Sequence, residues 1–169
     1  YYFANSGLKK PDFGFSPDAE FPIINGEKGN ITEYLHFAGK NAGDFTLISF
    51  TGGLRENMVP ESATAVFTAD SSLADLQKDL EAFTSQYPIT AEVSEDNGQF
   101  SVTVYGKSAH GSTPEEGING ATYLANFLNQ YAFEGAAKAF IALTANVLHD
   151  DFDGKKIGVA YTDAKMGAL

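Results

Sequence analysis

The sequence predicts an α+β fold in which an antiparallel sheet carries its helices on one face. Three observations predict this class. Segments with alternating apolar residues, typical of strands, recur between residues 44 and 104. Segments with apolar residues three or four positions apart, typical of amphipathic helices, lie between and after those strands. An Asn97-Gly98 pair has the composition of a two-residue turn and joins two of the strands as a hairpin.

Three strands are predicted before the first helix. Residues 31–37 and 44–51 are rich in aromatic and β-branched side chains, and Gly52-Gly53 ends the second of them. Residues 58–69 form the third, with small or aromatic side chains on one face. Pro60 places the start of this strand at an edge or a bulge, because proline has no N–H to donate to a neighbouring strand.

Residues 71–87 are the clearest predicted helix. Ser72 and Asp75 have the spacing of a capping box, and Pro88 ends the helix. One apolar stripe runs along it, formed by Leu73, Leu76, Leu80 and Phe83. The predicted hairpin follows, with strands near residues 89–93 and 100–104.

Two further helices and a second hairpin are predicted after residue 104. Thr113 and Glu116 have capping-box spacing with Pro114 at the first helical position, which predicts a helix beginning there. Gly135 separates this helix from another over residues 136–148. A turn at residues 150–154 leads to a hairpin formed by residues 157–161 and the chain from Gly167 onward.

The order of elements from Met58 is strand, helix, strand, strand, helix, which is typical of a ferredoxin-like sandwich. The strands before Met58 and after Gly154 could form a second, related unit, although no sequence repeat supports one. Residues 1–30 contain many prolines and glycines together with several phenylalanines. We therefore expect an irregular segment that packs on other protein.

Composition excludes several classes of function. The formal net charge is −11 and Arg55 is the only arginine, so we expect no nucleic-acid partner. No apolar run approaches the roughly 20 residues that span a bilayer, so no membrane partner is expected. The chain has no cysteine, which excludes thiolate chemistry and is typical of a cytoplasmic protein.

His110 has the most suggestive local setting, in a Gly- and Ser-rich bend directly before the predicted helix start at Thr113. Free N–H groups at a helix start attract anions, so His110 is well placed to hold a negative oxygen during acyl chemistry. An ordinary exposed histidine in a strand-to-helix turn is the simpler alternative, and local chemistry alone favours it.

Other polar residues point less clearly to chemistry. His36 is predicted as a packed or surface histidine. His149 precedes two aspartates that could bind a metal weakly, but the end of a helix favours a cationic histidine there. Asp18 could be a metal ligand or a turn residue after Pro17, and a zinc site needs about four ligands. The Asn57 amide could cap a loop or bind a substrate.

Three segments together resemble a known family. They are residues 13–29 (FGFSPDAEFPIINGEKG), 56–60 (ENMVP) and 106–114 (GKSAHGSTP), in that order. The chain resembles dipeptidase V-type enzymes, also described as Xaa-His or carnosinase-like dipeptidases. These belong to the aminoacylase and carboxypeptidase superfamily of two-zinc metallopeptidases. The resemblance extends across most of the chain.

The resemblance implies a zinc-dependent hydrolase that cleaves dipeptides with a free N-terminus. Residues 1–29 would be the end of a catalytic-domain segment, and residues 30–169 a ferredoxin-like lid domain, incomplete at its C-terminus. It implies Asp18 as a zinc ligand, His110 as the donor that stabilises the oxyanion, and Asn57 as a substrate-binding residue. The other ligands of the two zinc ions and the general base would lie outside this chain, which would be inactive by itself.

Two alternatives remain open at the level of sequence. A ferredoxin-like sandwich could serve as a non-enzymatic binding or dimerisation module, because this fold has many such roles. A related deacylase or aminopeptidase of the same superfamily would differ only in its substrate. The sequence does not determine the preferred dipeptide, the physiological metal or the oligomeric state.

Overall fold

The computed structural model describes Gly7 and residues 29–40, 43–165 and 167–168. The chain divides into two units, Tyr1–Ile31 and Thr32–Leu169, and all the helices and strands below belong to the second. No helix within the described ranges combines the length and the apolar character needed to cross a bilayer.

Four antiparallel strands form the sheet, in the order β1-β2-β4-β3. They are β1 (Phe45–Gly52), β2 (Ser62–Ala69), β3 (Thr90–Asp96) and β4 (Gln99–Tyr105). β1 pairs with β2, so the strand that precedes Met58 belongs to this sheet. Three α-helices accompany it: α1 (Leu73–Thr84), α2 (Gly120–Leu128) and α3 (Gly135–Leu143), the last extended by one π-helical turn, Thr144–Leu148. The predicted α+β class is confirmed.

The core lies on one face of the sheet. Ala65 of β2 pairs with Val102 of β4, and both are fully buried. On the neighbouring strand β1, Phe50 is the partner of the same Ala65. All three helices contribute buried side chains to the same cluster, namely Leu76, Leu80, Phe83, Leu124, Phe127, Leu128, Ala137 and Ile141. The opposite face is polar, and there Thr64 and Thr103 form a hydroxyl hydrogen bond of 2.9 Å.

Local sequence signals are confirmed in the middle of the chain. The Ser72 hydroxyl accepts a hydrogen bond from the Asp75 N–H at 3.1 Å and caps α1. Asn97 and Gly98 have φ angles of 50° and 76°, as a tight two-residue hairpin turn requires. Gly135 also has positive φ, and it begins α3 where the sequence predicted only a separator.

The predicted strand at residues 31–37 is wrong. The segment has no regular secondary structure and pairs with no strand of the described chain, and Ile31, Tyr34 and Leu35 are exposed. Its composition indicated β structure, yet a strand needs a partner for its backbone groups. The third predicted strand begins at Ser62, and Met58 forms only an isolated bridge. The final hairpin is likewise shorter than predicted, with β5 (Thr162–Asp163) pairing with β6 (Gly167–Ala168) and no strand at 157–161.

The helix predicted to begin after Thr113 is also wrong. Pro114–Glu116 forms a single 3-10 turn, and the Thr113 side chain makes no capping hydrogen bond. Gly117 is extended, with φ −97° and ψ 173°, because the next residue pairs with Lys107. Helix α2 begins only at Gly120, where the Asn119 carboxamide oxygen accepts from the N–H groups of Ala121 and Thr122 at 3.1 and 3.2 Å.

The observed cap can be tested against the predicted one. Asn119→Ala removes a side-chain acceptor from two free N–H groups, so we expect the free energy of unfolding to fall by about 1 kcal/mol. Thr113→Ala serves as the matched control and should change it by less than about 0.5 kcal/mol. Urea denaturation followed by circular dichroism measures both. A larger loss for Thr113→Ala would contradict the assignment of the cap.

Candidate functional site

Two distant chain segments pair at the end of the sheet and bring the two candidate lid residues together. Met58 and His110 form an antiparallel bridge. On one side of it the Val59 N–H donates to the Ala109 carbonyl at 2.9 Å, and on the other the Gly111 N–H donates to the Asn57 carbonyl at 2.7 Å. Asn57 and His110 are therefore held by one short piece of backbone pairing.

A third segment holds the bend from its other side. The N–H of Lys107 donates to the Ile118 carbonyl at 2.9 Å, and the N–H of Ile118 donates back at 2.8 Å. The Gly106 N–H donates to the backbone carbonyl of Glu61 at 2.7 Å. A Cβ atom at Gly106 would lie 2.1 Å from the Ile118 carbonyl oxygen, so only glycine permits this close approach.

The His110 ring is exposed, and its protonation pattern follows from its partners. Nδ1 lies 3.2 Å from the backbone N–H of Ser112 and 2.8 Å from the Ser112 hydroxyl. A backbone N–H can only donate, so Nδ1 acts as an acceptor and we assign the proton of the neutral ring to Nε2. Nε2 forms no hydrogen bond with the described residues. The bend therefore presents a free N–H donor to solvent.

Asn57 lies at the end of a turn closed by the Met58 N–H, which donates to the Arg55 carbonyl at 3.2 Å. Its side chain is exposed, and its carboxamide makes no hydrogen bond within the part of the chain that the structure describes. The register places Met58, and not Asn57, directly opposite His110. In such a bridge the two facing side chains are close neighbours on the same side. Met58 is thus a site residue that sequence reasoning missed.

A groove of about 470 Å³ adjoins the bend. Met58 and Pro60 line it on one side of the bridge and Ser108 on the other. The Ser108 hydroxyl donates to the Val59 carbonyl at 3.3 Å and ties the two walls together. Arg55 also lines the groove, together with Thr51, Gly52, Gly53, Leu54, Val59, Glu61, Ser62, Ala63 and Thr64. No local sequence pattern predicts this groove, because its walls come from separate segments.

No metal cluster lies within the described ranges: nowhere there do three or more His, Asp or Glu side chains approach closely enough to hold an ion. His149 and its two neighbouring aspartates therefore do not form the weak site that their spacing allowed. Asp18, the candidate zinc ligand, lies outside the described residues. Its role stays a prediction.

His149 has a structural role and is half-buried. Its Nδ1 lies 2.9 Å from the Thr122 hydroxyl oxygen, and its ring packs edge-on against Tyr123 with centroids 4.7 Å apart. Burial lowers the pKa of His149, and Lys156 adds to this, whereas Asp150 acts in the opposite direction. The expectation of a cationic histidine at the helix end is therefore wrong, because desolvation outweighs the favourable charge of Asp150.

This lowered pKa predicts how stability depends on pH. The unfolded chain binds the His149 proton more readily than the folded chain, so the stabilising contribution is complete above about pH 6.5. It is lost as the pH falls through the lower pKa of the folded state. His149→Gln should reduce the slope of unfolding free energy against pH below about 6.5, as measured by urea denaturation in a pH series. His36→Gln, at an exposed position, is the control, and equal slopes in both variants would contradict the assignment.

Comparisons with known proteins support the resemblance that the three motifs indicate. No family model matches the chain. The chain is 40% identical over 162 residues to a Beta-Ala-Xaa dipeptidase of Lactobacillus delbrueckii subsp. lactis, covering 94% of this chain and 34% of that protein.

Two staphylococcal proteins provisionally named as dipeptidases match in the same way. The protein of Staphylococcus aureus strain MW2 is 38% identical over 162 residues, and that of Staphylococcus haemolyticus strain JCSC1435 is 33% identical over 161. Each match covers 93% of this chain and 34% of the relative. The chain thus spans about a third of the length of the dipeptidases it resembles.

Proposed function

We propose that this chain is the lid and substrate-recognition part of a zinc-dependent dipeptidase that hydrolyses dipeptides with a free N-terminus. Similarity to proteins named as dipeptidases over nearly the whole chain supports the reaction class. The observation that carries the role of the site is the exposed Nε2–H of His110, held in a bend that is hydrogen-bonded on both sides.

His110 would act on the charge that develops during peptide hydrolysis. Attack of water on the scissile carbonyl converts its oxygen to an oxyanion, and a fixed N–H donor stabilises that oxygen more than the original carbonyl. Two features of the bend suit this role. The neutral ring donates through Nε2 without first having to take up a proton, and the Ser112 N–H fixes the orientation of the ring through Nδ1.

Asn57 would bind the substrate through its carboxamide. An exposed amide without a partner among the described residues can both donate to a carbonyl and accept from an N–H, which are the two groups of a peptide bond. The backbone bond between Asn57 and Gly111 fixes the Asn57 backbone relative to the His110 bend. Binding and oxyanion stabilisation would thus depend on the same pairing.

The described residues do not contain a zinc site. We propose that Asp18 supplies one ligand. The other ligands and the base that activates water would then belong to a catalytic domain elsewhere in the intact protein.

The role of His110 is tested in the intact protein that contains this chain. His110→Ala should lower kcat for hydrolysis of β-alanyl-alanine by roughly 100- to 1000-fold, the size seen when one oxyanion donor is removed. KM should change far less, because the donor acts mainly in the transition state. His110→Gln keeps an N–H donor and should recover part of kcat. An unchanged kcat in His110→Ala would remove this residue from the mechanism.

The metal is tested by its stoichiometry. Asp18→Asn should lower the zinc content of the purified intact protein by about one ion per chain, because a neutral amide is a poor zinc ligand. Inductively coupled plasma mass spectrometry measures it, with Asp44→Asn as the control. Equal zinc content in both variants would refute the role of Asp18.

A stable, metal-indifferent dimer without hydrolysis would support a binding module, and hydrolysis of N-acylated amino acids alone would support a deacylase.

A further inference from the structure

A short exposed segment without regular secondary structure contacts the loop beside the candidate site. We call residues 32–37 the strap. Its backbone forms no hydrogen bond with the described part of the chain, and Tyr34 and Leu35 are 69% and 64% exposed. At its end Phe37 packs edge-on against Phe140 of α3, with ring centroids 5.8 Å apart. The strap is therefore anchored at one end by an aromatic contact. Its hydrogen bonds to the rest of the described chain come from polar side chains.

Those polar contacts converge on a single carboxylate. The Tyr34 hydroxyl donates to Oε1 of Glu56, and the Thr32 hydroxyl donates to Oε2 at 3.5 Å. Both oxygens of Glu56 thus accept from the strap. The hydrogen bond to Glu56, with its negative charge, raises the pKa of Tyr34, because ionising the phenol would break that bond.

Glu56 belongs to the exposed loop that ends in Asn57. Leu54, in the same loop, is fully exposed, so apolar packing does not hold the loop tip. The loop backbone is fixed at its ends, where the Gly53 N–H donates to the Ser62 carbonyl at 3.4 Å and the Gly111 N–H donates to the Asn57 carbonyl. One backbone bond inside it, from the Met58 N–H to the Arg55 carbonyl, closes the turn before Asn57. Within the loop, the side-chain hydrogen bonds that the structure describes are those between Glu56 and the strap.

We propose that Glu56 is a positioning residue, which the strap holds through Tyr34 and Thr32 so that the adjacent Asn57 is set for substrate binding. The proposal rests on the proposed function, because it assigns Glu56 a role through Asn57. It predicts a definite kinetic split. Loss of the strap contact should weaken substrate binding through the Asn57 side chain and leave the His110 donor unaffected, because the backbone hydrogen bonds between residues 57–59 and 109–111 do not involve the strap.

The experiment compares two tyrosine variants in the intact protein. Tyr34→Phe removes only the hydroxyl that donates to Glu56. Tyr105→Phe is the matched control, because its hydroxyl donates to the exposed carboxylate of Glu92 at 2.6 Å. KM and kcat are measured with β-alanyl-alanine, and amide hydrogen exchange is measured by mass spectrometry for peptides covering residues 53–58.

For Tyr34→Phe we expect KM to rise about threefold to tenfold, as loss of one charge-assisted hydrogen bond at the surface allows, with kcat within about twofold of its original value. Exchange in the loop peptide should quicken, because the loop opens more often. Tyr105→Phe should change neither quantity. Glu56→Gln, which keeps one oxygen as an acceptor, should raise KM less than Glu56→Ala.

Two results would overturn the proposal. One is unchanged loop exchange in Tyr34→Phe, and the other is an equal response of the two tyrosine variants. If the unaltered protein hydrolyses no dipeptide, the proposed function fails, and so does the assignment of Glu56 to substrate binding. A difference in loop exchange between Tyr34→Phe and Tyr105→Phe would then still identify the strap as the element that holds the loop.

Discussion

The backbone pairing of residues 57–59 with residues 109–111 is the constraint on which the candidate site depends. It consists of one bridge and two short hydrogen bonds, yet it joins segments that the chain separates by an entire helix and hairpin. Backbone bonds of this kind fix positions more tightly than exposed side-chain contacts, because fewer rotatable bonds separate the atoms involved. An exposed histidine can thereby have a defined location without being buried.

The sheet makes this pairing possible. β2 and β4 are adjacent and antiparallel, so the start of β2 and the end of β4 lie at the same end of the sheet. Pro60 and Glu61 precede β2 there, and Gly106 follows β4. The hydrogen bonds of the sheet therefore continue into the site as isolated pairs. Helix α2 begins beside this end of the sheet, where the Gly120 N–H donates to the Pro60 carbonyl at 2.9 Å.

Exposure of the polar groups in this region is itself informative. A single-sided core buries the apolar side chains of β2 and β4 and leaves the polar residues of the bend in solvent. The Nε2 of His110 and the amide of Asn57 have no partner in the described chain, and both are strong hydrogen-bonding groups. In the proposed enzyme their partner is the substrate.

The sequence by itself determined the elements whose signals are local. Apolar periodicity and Ser72 defined α1, and the Asn97-Gly98 pair defined the hairpin, because caps and tight turns depend on nearest neighbours. The motifs around Asn57 and His110 also marked the two candidate residues that the backbone pairing brings together. Only the tertiary structure decided that the segment after Thr113 is not helical, that residues 31–37 are not a strand, and that Met58 faces His110. Each of these outcomes depends on a partner distant in the chain, and local propensity contains no information about such a partner.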